Sequence, residues 1–77
     1  MVWYKYPNFL SQNTHANFDK LYNPGDQSPD GGIYRCEGCS KEIGIAQNHT
    51  FPPQNHHQHA QGQGAIRWRM VACSENT

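Results

Sequence analysis

The 77-residue sequence is short of the two things that hold most small proteins together, aliphatic side chains and charge. Leu, Ile, Val and Phe number eleven, one seventh of the chain, below the roughly 20% under which a chain stops supporting a hydrophobic core unaided. Charged residues are 16% and balance at six Lys+Arg against six Asp+Glu. The zero net charge argues against a strongly basic duplex binder, whose affinity comes from cations neutralising phosphates. It also removes the self-repulsion that usually accompanies disorder. Long apolar runs are absent: the longest, Met70-Val71-Ala72-Cys73, has four residues, where a membrane helix needs about 20. Residues Met1 to Pro7 have no apolar core of a secretory signal, so the expected location is cytoplasmic. With three cysteines, an odd count, and no export signal, a disulfide framework is the poorer reading and thiols available to a metal the better one.

What is present is uncharged polarity: seven Asn, seven Gln and five His give a mean hydropathy of -0.93. A single domain of this length and composition comes out near zero net stability when burial is set against conformational entropy. The missing stability therefore has to come from another source, and a metal ion is the one the residues suggest.

Along the chain, residues 1–17 are aromatic but without period, and are expected to be a flexible extension. Thr14 predicts the cap of a two-turn helix placing Phe18, Leu21 and Tyr22 on one face, stopped by Asn23-Pro24. Residues 24–32, dense in Pro, Gly and Asp, read as turn. Ile33–Cys36 and Glu42–Ala46 read as a hairpin with Cys36-x-x-Cys39 at its tip, Ile43 and Ile45 sharing a face. Phe51-Pro52-Pro53 cannot continue a ladder, because two successive residues lack an N–H. Residues 66–71 alternate, with Ile66, Trp68 and Met70 on one side and Arg67 and Arg69 on the other. The expected fold is small all-β: a zinc-ribbon-like three-stranded antiparallel sheet over residues 18–72, stabilised by one metal, with residues 73–77 a frayed tail.

Thiolate and imidazole are the ligands that Zn2+ prefers, and Cys36-x-x-Cys39 is followed after sixteen residues by His56-x-x-His59. Two thiolates cancel the ion's charge and two neutral imidazoles add none, so the complex can sit beside a small core. His57 is the first substitute ligand and His49 the second. The blander readings are a redox dithiol, which needs a βαβ context this chain lacks, and a solvated polar His-rich loop. Cys73 reads as a spare thiol.

Pro24-Gly25-x-x-x-Pro29-x-x-Gly32-x-Tyr34-x-Cys36-x-x-Cys39, followed by Phe51-Pro52-Pro53 and a closing Trp68, resembles a group of small single-domain bacterial proteins with a zinc-ribbon-like β core. The resemblance covers about residues 18–72 and implies a fold and a zinc ion but no established activity. In the commoner pattern a second Cys-x-x-Cys follows Phe-Pro-Pro. Here Gln54 to His59 take its place, and Ser40 stands where a ribbon knuckle usually has Gly.

These features predict a zinc-stabilised interaction module and not an enzyme, since no paired carboxylate or nucleophile–base arrangement stands elsewhere. Its partner is expected to be a protein, with a weak nucleic-acid contact through Arg67, Trp68 and Arg69 as the lesser option and no membrane. Two alternatives are weighed against this reading. One is a metal sensor or buffer holding labile Zn, Ni or Cu on the surplus histidines. The other is a zinc enzyme with three protein ligands, an open position, and Glu37 or Glu42 as base.

Overall fold

Among the described residues three short strands form: β1 (Gly32–Cys36), β2 (Glu42–Ile45) and β3 (Trp68–Cys73). The computed structural model describes residues 1–53 and 64–74. The strands form one antiparallel sheet in the order β2-β1-β3, so the expected all-β class and three-stranded sheet are present. Alternation explains which face is inward. Tyr34 and Cys36 on β1 and Trp68 and Met70 on β3 are buried, whereas Arg35 and Arg69 between them are exposed. Ile43 and Ile45 share the inward face of β2 and pack on this core.

β3 spans residues 68–73 and not 66–71, and its clean period ends at Met70. Tyr34 pairs with Met70 but Ile33 pairs with Ala72, so Val71 is an extra residue on β3. This bulge breaks the inward–outward sequence of side chains. Gly32 lies beside it, opposite Cys73.

The core consists of Tyr34, Cys36, Phe51, Ile66, Trp68 and Met70. Aromatic rings supply most of its volume and replace the missing aliphatics. Phe51 meets Tyr34 edge-on at 4.9 Å and lies parallel to Tyr22 at 5.5 Å and to Trp68 at 6.5 Å. The Tyr34 hydroxyl donates to the Asp30 carbonyl at 2.7 Å, which satisfies its only polar atom inside the core.

The helix expected from Thr14 does not form. A single 3-10 turn, Ala16–Phe18, occupies part of that stretch, and His15 caps it by accepting the Asn17 N–H on its ring nitrogen at 3.1 Å. Tyr22 is instead extended and exchanges two 2.8 Å backbone hydrogen bonds with Trp68. Two turns of isolated helix are marginal in water. Pairing with the outer edge of β3 satisfies the same backbone groups and protects that edge. Leu21, expected on the helix's buried face, is 40% exposed.

Residues 25–28, read from sequence as turn, run beside residues 48–51. The Ser28 N–H donates to the His49 carbonyl at 2.9 Å and the Phe51 N–H to the Asp26 carbonyl at 2.8 Å. Ser28 is fully buried, and its hydroxyl donates to the Ala46 carbonyl at 2.6 Å. Phe51 is thereby set into the core just before Pro52 and Pro53 end the pairing. Among the described residues no helix is long and apolar enough to cross a membrane.

Candidate metal centre

The β1–β2 hairpin presents Cys36 and Cys39 on one tight turn. The Cys36 N–H donates to the Lys41 carbonyl at 2.7 Å, and the Cys36 carbonyl accepts the Ser40 N–H at 2.8 Å. Closing so short a loop requires one residue in the left-handed region, and Ser40 takes that place with φ 64°. The serine thus adopts the conformation for which a knuckle glycine is normally used. Its hydroxyl accepts from the Arg35 guanidinium at 2.7 Å, which ties the turn to β1.

The two sulfurs differ in environment. Cys36 is fully buried opposite Trp68, while Cys39 is half-buried against the core's edge. Both stand as thiols, outside any disulfide. The Glu37 N–H, inside the turn, donates to the Arg67 carbonyl at 2.9 Å. The turn is therefore held to the segment through which the chain enters β3. Thiols presented together on a closed turn are a chemically suitable half of a tetrahedral zinc site.

His56, His57 and His59, the expected partners, lie outside the described residues. Both chain segments bounding them are anchored at this core: Phe51 stacks within it, and Ile66 is buried in it two residues past Gly64. His49, the second substitute, is not brought to the cysteines. It is exposed at the opposite end of β2, where its carbonyl holds Ser28. β2 alone separates the two ends by about 13 Å at 3.3 Å per residue. Cys73 is also remote, since the antiparallel register puts it beside Gly32 and Trp68 beside Cys36. Among the described residues no group of three or more His, Cys, Asp or Glu is assembled for a metal ion.

The carboxylates near the turn are otherwise engaged. Glu37 Oε1 stands 3.5 Å from Arg69 Nε and 3.7 Å from Arg35 Nη1, and Glu42 Oε1 lies 2.9 Å from the Met1 nitrogen. Trp68, expected beside Arg67 and Arg69 in a nucleic-acid contact, is fully buried, and its ring is out of reach of a base. Sequence reasoning missed the direct pairing of Arg35 with Arg69 across β1 and β3. The only signal for it was the shared outward phase of two strands whose register was unknown.

No family model matches the chain, and no solved structure does. The chain is similar to an Escherichia coli protein named Protein L, at 60% identity over 54 residues, which are 70% of this chain and 61% of that protein. It thus spans less than two thirds of that relative's length, and the likeness is one of sequence without an activity attached.

Proposed function

We infer that this chain is a small interaction module of zinc-ribbon type whose fold is held by one structural Zn2+, bound by Cys36 and Cys39 with His56 and His59, and with His57 as the substitute. The observation that carries this reading is the closed Cys36–Ser40 turn, which sets two thiols against a core that, among the described residues, has six buried hydrophobic side chains. The donor set is near neutral once bound, so it suits a site at the edge of an aromatic core. Bound zinc crosslinks the hairpin tip to the segment that precedes β3. A structural zinc contributes on the order of 10 kcal/mol, enough to order a chain this poor in aliphatics.

Native mass spectrometry of the purified chain, with amide NMR before and after chelation, tests the reading. One zinc per chain, with collapse of amide dispersion on its removal, is the expected result. His59→Ala and Cys39→Ser are expected to lose the metal and the fold together. A fold that survives chelation, or a chain purified without metal and well dispersed, overturns the reading. Two or more exchangeable equivalents would instead fit a metal buffer.

A further inference from the structure

The sheet face opposite the core carries a charge pattern that the metal reading does not use. Register aligns Glu42, Arg35 and Arg69 in one row across β2, β1 and β3. Like charges directly opposite each other on adjacent strands repel, yet Arg35 and Arg69 hold this position, each with close to half of its side chain exposed, 44% and 45%. Glu37 alone stands between them, at 3.7 and 3.5 Å. Arg67, two residues before Arg69 on the outward phase, is also exposed. Among the described residues Arg35 and Arg69 thus share the Glu37 carboxylate, while Glu42 lies 2.9 Å from the Met1 nitrogen.

That last contact places the start of the chain at one end of the same row. From there the first residues present Trp3, Tyr4 and Tyr6 to solvent, at 93%, 64% and 51% exposure. Exposed rings offer faces for stacking, as Tyr6 does to Phe9 at 5.3 Å and to the Lys5 ammonium over its ring. An arginine face joined to this segment through the Met1–Glu42 contact selects a partner with both π-faces and negative charge. Guanidiniums spaced along a strand with aromatics beside them are the elements that bind single-stranded nucleic acid without sequence readout. Duplex is disfavoured, because paired bases offer the rings nothing to stack on.

The geometry points to this outer face as a binding surface for single-stranded nucleic acid, with phosphates on Arg35, Arg67 and Arg69 and bases on Trp3, Tyr4 and Tyr6. Neutralising Glu37's neighbours with phosphate relieves the Arg35–Arg69 repulsion, so the ligand replaces an unfavourable pair by two favourable ones. The inference goes beyond the metal reading and does not rest on it, because the cysteines lie on the inward side.

Fluorescence anisotropy of labelled dT12 and U12 with the full, metal-replete chain at 50 mM salt is the test, and Trp3 quenching is a second readout. Saturable binding is expected, with log K falling against log salt at a slope of about -2, three contacts at about 0.7 each. Arg67→Ala with Arg69→Ala is expected to weaken binding at least tenfold and flatten the slope, and Trp3→Ala to weaken it roughly tenfold with the slope unchanged. Lys20→Ala, outside this face, is expected to change neither. Amide dispersion verifies that each variant is folded. No binding at 100 μM protein, equal binding to polyglutamate, or tight binding undisturbed by the arginine pair overturns the inference, and polyglutamate capture alone assigns the face to an acidic protein. Because metal content is read separately by mass, either reading can fail while the other stands.

Discussion

A side chain built onto Gly32 would drive its Cβ into the carbonyl oxygen of Ala72 and onto the Cα of Cys73. Both are backbone atoms of the neighbouring strand beside the bulge, so nothing flexible can move aside. Gly32→Ala is therefore expected to destabilise the domain by about 1–3 kcal/mol, the usual range for overpacking, measurable as a lowered denaturation midpoint. Gly44 is the contrast, because nothing lies within 4 Å of a Cβ there. Gly44→Ala is expected to be tolerated within about 0.5 kcal/mol, as surface substitutions usually are.

Tyr34 shows how burial turns into pH dependence. Its phenol is pushed up to about 12 from 10.0, chiefly because burial disfavours the phenolate. The folded state holds the neutral form more tightly than the unfolded chain does. Its contribution is complete below pH 10 and is lost as pH rises toward 12. Denaturant midpoints measured from pH 9 to 12 are expected to fall over that window, and Tyr34→Phe to fall less steeply while costing about 1 kcal/mol at neutral pH for the lost hydrogen bond.

At the scale of elements, the segment through Tyr22 acts as an edge strand of one rung. Its two hydrogen bonds to Trp68 close the outer side of β3, and its ring lies parallel to Phe51. Deletion of residues 1–11 removes exposed apolar side chains, the half-buried Val2, the Met1–Glu42 ion pair and a 3-10 turn without buried residues. It is expected to change stability by less than about 1 kcal/mol, whereas deletion through Tyr22 uncovers the edge and the stack and is expected to abolish a cooperative transition. Differential scanning calorimetry of the two truncations distinguishes them.

The hairpin tip was legible at this scale because its signals are local. Cys36-x-x-Cys39, the flanking β-formers and the short span between them all lie within about a dozen residues. The departures came where distant chain decided the outcome. Thr14 to Tyr22 contains helix-compatible spacing, but β3's unsatisfied edge lies 46 residues further on and claims Tyr22's backbone. Residues 25–28 read as turn because Pro and Gly dominate them, and they pair because residues 48–51 are brought alongside.

For the whole molecule, the aromatic cluster around Phe51 and Trp68 provides the packing and the proposed zinc ion the crosslink. Zinc binding needs deprotonated thiolates and neutral imidazoles, so affinity falls as pH falls. Acidification of the zinc-loaded protein is expected to release metal and unfold the domain in one transition, followed by Trp68 emission and a colorimetric zinc indicator together. Unfolding that precedes zinc release would place the metal outside the cooperative unit.

Composition and spacing by themselves determined that the chain folds as a small β domain, that Ile66, Trp68 and Met70 share one side of the last strand and Ile43 and Ile45 one face of the second, and that the two cysteines share a hairpin tip. These follow from alternation and from turn chemistry, which act over a few residues. Only the tertiary structure decided the strand order β2-β1-β3, the bulge at Val71, the separation of His49 and Cys73 from the cysteine pair, and the alignment of Arg35 with Arg69. Each of these depends on register between distant segments, and register is set by packing of the whole core: a slip of one residue would turn every inward side chain outward.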